Sequence, residues 1–301
     1  GGITTVTMAS GHIPPANGAD IRRTGSELPA GRLLVERGTL ITARLAAFLG
    51  MNGFDEIPVL APVTARCAFT GNEVITIGVP EAGQVRDAFG GFLEATLATQ
   101  GCAALPSARL ADTGHDFTTF LNTSHAQVLI FTGGSSTSGV DMVRKTLAEA
   151  QATYLFESVQ VRPGHPALAA RLADGRIVLG LPGNPLAAYT ALYSYLPPLL
   201  AGMRGLPLPP LDTAELAQDI PALTASSQQR LIPALVRECR AHPLPRRASY
   251  MLSGLSKATH LLVADTSIRR VNVCRCCRCF REGRYIPFFS AAAHCAFMGA
   301  E

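Results

Sequence analysis

Three carboxylates stand where turns follow apolar runs. They are Glu73 in Thr70-Gly71-Asn72-Glu73, Asp112 in Ala111-Asp112-Thr113, and Asp141 at the end of Thr132-Gly133-Gly134-Ser135-Ser136-Thr137-Ser138-Gly139-Val140-Asp141. Carboxylates gathered beside an oxyanion hold Mg²⁺, which bridges oxygens and neutralises phosphate charge. Taken one at a time, each reads as a helix cap or a turn residue. As a set aimed at one rim, they read as metal ligands and as the acidic groups of a catalytic site.

The last of those strings is itself an anion cradle by composition. Gln127-Val128-Leu129-Ile130-Phe131 is a buried-strand pattern that runs into glycines and hydroxyls, and a helical pattern follows with Val140, Val143 and Leu147 on one face. Glycine lets the backbone approach a ligand, and the helix N-terminus adds partial positive charge. Two further turns carry matching chemistry. Arg162-Pro163-Gly164-His165-Pro166 offers a guanidinium for an oxyanion and an imidazole that either donates a proton or hydrogen-bonds as the neutral ring. Gly183-Asn184-Pro185 opens a helix, with Asn as N-cap, Pro in the first turn and backbone N–H groups available to an anion.

These turns need a scaffold that brings them together. From Val63 the pattern alternates strand and helix. Strands are expected at Val63 to Phe69, Ala103 to Leu110, Gln127 to Phe131, Phe156 to Val161 and Arg176 to Leu181. Helices are expected around Phe89 to Gly101, Phe117 to Ser124, at Asp141 with Val140, Val143 and Leu147 on one face, and over Leu186 to Leu200. Such alternation predicts an α/β fold, a doubly wound and mostly parallel sheet with helices on both faces. Open sheets of this kind bind ligands beyond the carboxyl ends of their strands, where all five turns fall. Residues 1–62 read as a partial β-rich domain with a helix from Thr42 to Leu49, 63–206 as the α/β domain, 211–268 as a small barrel-like β domain, and 269–301 as an atypical tail. Pro207-Leu208-Pro209-Pro210 is the expected linker.

Composition narrows the class. The 301 residues are 48% hydrophobic and 16% charged with a formal net charge of +4, which suits compact domains and not a disordered chain. No basic and aromatic stripe points to nucleic acid, and Pro197-Pro198 interrupts the most apolar stretch, so no membrane span is expected. The start Gly1-Gly2-Ile3 shows no basic stretch leading into an apolar core, which makes a cytoplasmic location the expectation. There is no phosphate-binding Walker loop, nucleophile elbow or dinucleotide fingerprint. In the tail, Cys274-Arg275-Cys276-Cys277-Arg278-Cys279 spaces its cysteines poorly for zinc, because adjacent residues rarely share one tetrahedral site.

The strings Gly18 to Leu28, Phe69-Thr70-Gly71-Asn72-Glu73-Val74, Thr132 to Asp141, Val161-Arg162-Pro163-Gly164-His165-Pro166 and Gly180-Leu181-Pro182-Gly183-Asn184-Pro185 together resemble the MoeA/gephyrin E-domain family, the molybdopterin molybdotransferases. The resemblance implies a central sheet like that of MogA and MoaB. It implies insertion of molybdate into adenylylated molybdopterin, with release of AMP and with Mg²⁺. It assigns Glu73, Asp112 and Asp141 to the metal and nucleotide side, and Arg162 and His165 to the oxyanion site. It adds Glu27 from the preceding domain and Ser249 from the last domain. It also implies a homodimer built through segments that precede residue 1 in the family, and a molybdopterin adenylyltransferase as partner. Here Asn72 and His165 replace an acidic and a lysine residue of the usual family strings. A molybdopterin adenylyltransferase-like enzyme and a non-catalytic molybdopterin-binding module are the alternatives.

Overall fold

The computed structural model describes residues 5, 7, 11, 16–133, 137–220, 228–245, 247–264 and 270–274. It divides into two units, Gly1–Ile57 and Pro58–Glu301. The first holds helix α1 (Ala43–Met51), whose N-cap Thr42 accepts a hydrogen bond from the Leu45 amide. No strand forms among the described residues of 1–62, where short strands had been expected. Turns close at Ala16–Ala19, Arg23–Ser26, Pro29–Arg32 and Glu36–Thr39, so no run between them is long enough to pair.

The second unit begins β1 (Val63–Phe69), β2 (Val74–Ile75), β3 (Val85–Arg86), α2 (Phe92–Thr99), β4 (Cys102–Arg109), α3 (Gly114–Thr123) and β5 (Val128–Thr132). It continues with α4 (Thr137–Glu149), β6 (Thr153–Phe156), β7 (Val161–Arg162), β8 (Leu168–Arg171), β9 (Ile177–Leu181) and α5 (Pro185–Met203). Then come β10 (Leu211–Leu216), β11 (Gln229–Arg237), β12 (Arg240–Pro243), β13 (His260–Ala264) and β14 (Arg270–Cys274).

The main sheet has the order β4-β1-β5-β9-β8-β6. The first four strands are parallel, and β8 runs antiparallel to both its neighbours, β9 and β6. Alternation along β5 sends Val128 and Ile130 to one core, with Leu93, Leu97, Leu186 and Leu192 of α2 and α5. It sends Leu129 and Phe131 to the other, with Phe117, Phe120, Val143 and Leu147 of α3 and α4. Helices therefore cover both faces, as a buried parallel sheet requires.

The strand expected over Phe156 to Val161 is split. β6 stays in the main sheet, while β7 leaves it and pairs with β11. β8 was not anticipated. Its Leu168-Ala169-Ala170 run is too short to stand out after Pro166. The most apolar stretch is part of one helix, since α5 continues through Pro197 and Pro198.

In the second sheet β12 hydrogen-bonds to both β10 and β11, so β10-β14-β13-β11-β12 closes on itself around Ala214, Ile232, Ala234, Ala241 and Leu262. Its strand β14 reaches Cys274, past the boundary expected at 268; the rest of the cysteine- and arginine-rich tail lies outside the described residues. Among the described residues, no helix is long and apolar enough to cross a membrane.

Candidate functional site

The parallel order β4-β1-β5-β9 sets four strand-end loops side by side at one edge of the sheet. They start at Leu110, Thr70, Gly133 and Pro182. Backbone bonds tie the row together. Leu110 N–H donates to the Phe69 carbonyl (3.0 Å) and Thr70 N–H to the Thr132 carbonyl (3.0 Å).

Gly133 is the tightest point of the row. It has φ +111°, and a Cβ there would lie 2.5 Å from the Thr70 carbonyl oxygen and closer still to Thr70 Oγ1. Only glycine fits. Gly71 has φ +120°, and its missing side chain leaves space 2.8 Å from Val74 Cγ2 and 3.2 Å from both carboxylate oxygens of Glu73. Glu73 thus folds back over its own turn while remaining exposed.

Asp112 is not a helix cap. Thr113 takes that role for α3, accepting from the Asp116 amide (3.3 Å), and Asp116 accepts from the Ala111 amide (3.1 Å). Asp112 Oδ1 is buried without a hydrogen-bond partner, and so is the Thr132 hydroxyl at the end of β5. Buried polar atoms are nearly always paired, so these two stand out on the edge where the loops begin. Asp141 falls within α4, and its side chain lies outside the described residues, as do Gly134, Ser135 and Ser136. Among the described residues, no three acidic, His or Cys groups stand close enough to hold a metal ion.

The loop Arg162 to Pro166 reaches the same region from the side. Buried Gly164 packs on α5, its Cβ position 3.8 Å from the Ala187 carbonyl and 3.9 Å from Ala191 Cβ. Pro166 shares a cavity of about 10 Å³ with Gly133, Phe131 and Leu181. His165 is exposed but tied down. Its Nδ1 donates to the Val159 carbonyl (2.6 Å), and the Val159 amide donates to the His165 carbonyl (3.0 Å). The neutral ring then presents Nε2 as an acceptor.

Arg162 is exposed and registers directly beside Arg230 across the β7–β11 pair. Burial, and after it the charge of Arg247, hold the Arg230 guanidinium below the usual arginine range. Arg230 and Arg247 were missed in the sequence. Nothing in a strand-like run or in a proline-rich turn announces that β7 will cross over and set a third cation beside them.

At Gly183-Asn184-Pro185 the expected helix start is present, but Asn184 makes no side-chain cap bond. The Ser249 carbonyl takes the cap, accepting from the Leu186 (2.8 Å) and Ala187 (3.3 Å) amides. Ser249 is thereby brought to the rim, while these two amides are withdrawn from any anion. Glu27 lies in the first unit, where it pairs with Arg22.

A second feature missed in the sequence is an open cleft of about 260 Å³ at the outer end of the row, lined by Phe69, Thr76, Asp87, Gly90, Ser107 and Arg109. Asp87 accepts from the Phe89 amide (2.9 Å), the Gly90 amide (3.1 Å) and the Arg109 guanidinium. Its only sequence signal is an acidic residue shortly before Gly90-Gly91 and α2.

Residues 67–202 match the family model described as a probable molybdopterin binding domain. The chain is 29% identical to a molybdopterin molybdenumtransferase of Synechococcus elongatus over 255 residues, 82% of this chain and 62% of that protein. It is 28% identical to molybdopterin molybdenumtransferase 2 of Mycobacterium tuberculosis, covering 69% of this chain and 53% of that protein. The chain thus spans between about half and three-fifths of the length of these relatives. The fold is similar to that of the molybdopterin biosynthesis moeA protein of Pyrococcus horikoshii OT3, with a TM-score of 0.67 and 19% identity over 83% of this chain and 63% of the other.

Proposed function

We propose that this chain, similar to molybdopterin molybdenumtransferases and matched over residues 67–202 by a probable molybdopterin binding domain, inserts molybdate into adenylylated molybdopterin with release of AMP. The observation that carries the reading is the row of four strand-end loops with the unpartnered oxygen of Asp112 at its rim.

Two chemically distinct sides support it. On one, Glu73, Asp112 and Asp141 are the acidic groups for the phosphate link of the nucleotide. Their donor chemistry fits Mg²⁺, which takes one or two protein carboxylates and completes its shell with water and phosphate oxygens, so a dedicated cluster is not required. When bound, Mg²⁺ supplies charge neutralisation at the phosphates. On the other side, Arg162, Arg230 and Arg247 stand together, with His165 on the same loop as Arg162. Guanidinium groups suit an oxyanion such as molybdate.

Thr70, Gly71 and Gly133 shape the floor between the two sides, and Gly134, Ser135 and Ser136, next in the sequence, belong to the same reading. Gly164 packs the cationic loop, with Pro163 and Pro166 on either side of it in the sequence, against α5, while Gly183, Asn184, Pro185 and Ser249 form the start of that helix. No nucleophile is needed. The residues hold two reactants in register and place positive charge where oxygen charge gathers. Glu27, a homodimer, and delivery of the nucleotide by a molybdopterin adenylyltransferase belong to the same reading.

The test is AMP release from adenylylated molybdopterin on adding molybdate, with and without Mg²⁺, for the wild-type chain, Asp112→Ala and Glu73→Ala. Release that needs molybdate and Mg²⁺ and is lost in both variants is the expected result. Tight binding with no release in the wild type would leave a binding module.

A further inference from the structure

We propose that the open cleft at the ends of β1 and β4 is a subsite for the adenine ring of the nucleotide; this rests on the functional reading above and sets the direction in which the substrate lies along the row. The cleft of about 260 Å³ is lined by Phe69, Thr76, Asp87, Gly90, Ser107 and Arg109, none of which belongs to the acidic or the cationic set. Its volume lies below the roughly 300 Å³ at which pockets begin to take drug-sized ligands, so it admits one ring system and not the whole substrate.

The lining suits a flat, uncharged ring. Arg109 pairs with Asp87, whose side chain is 9% exposed against 36% for Arg109. Asp87 is also held by the Phe89 (2.9 Å) and Gly90 (3.1 Å) amides. The two charges cancel, so the cleft is not built for phosphate or molybdate, and the guanidinium is fixed at one end by its partner. Gly90 leaves room for that pair, since a Cβ there would strike the Asp87 carboxylate. Phe69 adds apolar surface and is backed by Phe89, the ring centroids 6.4 Å apart. A guanidinium stacks on an aromatic ring or donates to its nitrogens. Ser107 Oγ donates to Glu94 and so offers its lone pairs to an amino group, while the Thr76 hydroxyl serves either role.

The order of the row decides which ring enters. The loop that carries Arg162 meets the ends of β5 and β9 through Pro166. Glu73 follows β1 and Asp112 follows β4, and the cleft lies beyond them. Arg109 stands three residues before Asp112, and Thr76 three after Glu73, so the cleft adjoins both acidic turns. Adenylylated molybdopterin is ordered in the same way, with its sulfurs and pterin at one end, its phosphates in the middle and adenosine at the other end. With molybdate at the guanidinium end and the phosphates at the carboxylates, adenine is the ring left for the outer end.

Calorimetric titration of the full chain with AMP and with ribose 5-phosphate, both in the presence of Mg²⁺, tests this in wild type, Arg109→Gln and Arg109→Lys. Ribose 5-phosphate lacks only the base. Wild type is expected to hold AMP about tenfold more tightly than ribose 5-phosphate. Both variants are expected to lose that margin while binding ribose 5-phosphate as wild type does. Lysine keeps the charge opposite Asp87 but not the planar fork. Wild-type AMP affinity in Arg109→Lys overturns the assignment, because Arg109 then serves only the ion pair. Equal wild-type affinity for the two probes overturns it, and so does unchanged AMP affinity in both variants. Weakening of both probes together also overturns it, since the role of Arg109 is then in the fold. These four results leave the functional reading untouched. A wild-type chain that takes up neither probe overturns the functional reading and this inference with it.

Discussion

The Ser249 carbonyl accepts hydrogen bonds from the Leu186 and Ala187 amides, at 2.8 and 3.3 Å, and so closes the N-terminus of α5. The barrel segment supplies what a capping side chain supplies elsewhere, because Asn184 makes no cap bond. One consequence is that α5 and the segment around Ser249 are fastened at the rim of the site. Another is that the helix start positions Gly183 and Asn184 without itself being an open anion site.

Hydrogen exchange should report this cap directly. The first amides of a helix normally exchange fast, because nothing in the helix accepts from them. Leu186 and Ala187 are expected to be protected like the amides of β9. Fast exchange at both, with β9 protected, would mean that the segment around Ser249 leaves the helix in solution.

Gly133→Ala and Gly175→Ala separate close approach from backbone strain. Both glycines have positive φ, at +111° and +89°. At Gly175 a Cβ would meet nothing within 4 Å, whereas at Gly133 it would strike the Thr70 backbone. Gly175→Ala is expected to cost about 1 kcal/mol, the usual penalty of the left-handed region. Gly133→Ala adds a steric clash and is expected to cost about 3 kcal/mol. Urea midpoints measure both. Equal losses would show that the Gly133 turn yields without resistance from Thr70.

What was legible in the sequence follows from where the signal resides. β5 and the turn after it could be read because an apolar run ends at Gly133, and the Cβ geometry shows why glycine is required there. Asp112 could be located at a strand end. That it is not a cap could not be seen, since Thr113 and Asp116 divide that task only once α3 is formed. Ser249 acts through its carbonyl, which every residue carries, so its side chain gives no sign of the bond. Arg230 reads as one cation in a strand, and only the crossing of β7 sets it beside Arg162. Among the described residues of 1–62, frequent turns and threonines resemble β structure in composition, yet strands need partners at least as much as composition.

The adjacent cations make a prediction about salt. Arg162 registers beside Arg230, and Arg247 bears on the Arg230 guanidinium. Like charges held side by side raise the local positive potential and so favour an added anion. Arg162→Gln and Arg230→Gln should each weaken molybdate binding about tenfold and flatten its dependence on salt. Unchanged affinity in both variants would remove this cluster from the molybdate side of the site.

The cysteines predict an alkaline limit to stability. Cys67 and Cys102 are free and buried, while Cys239 is exposed. Burial first, opposed by Arg204, pushes the Cys102 thiol from an ordinary 9.0 up to about 11. Burial, then the charge of Glu94, pushes Cys67 up as well. In the unfolded chain both thiols ionise near pH 9.0, whereas the folded chain keeps them protonated. Below that pH the two states bind the same protons, and the thiols' contribution is fully present. Between about pH 9 and 11 the unfolded state has released protons that the Cys102 thiol of the folded state still holds, so stability falls as pH rises. Denaturant midpoints are therefore expected to decline over that window. Cys102→Ser should show a shallower decline, because serine does not titrate there. Peptide-resolved alkylation at pH 8 gives a second check: Cys239 should label in the native state, and Cys67 and Cys102 only after denaturant is added. Native labelling of Cys102 at the rate of Cys239 would show that β4 opens at the sheet edge and that its thiol is not held in the core.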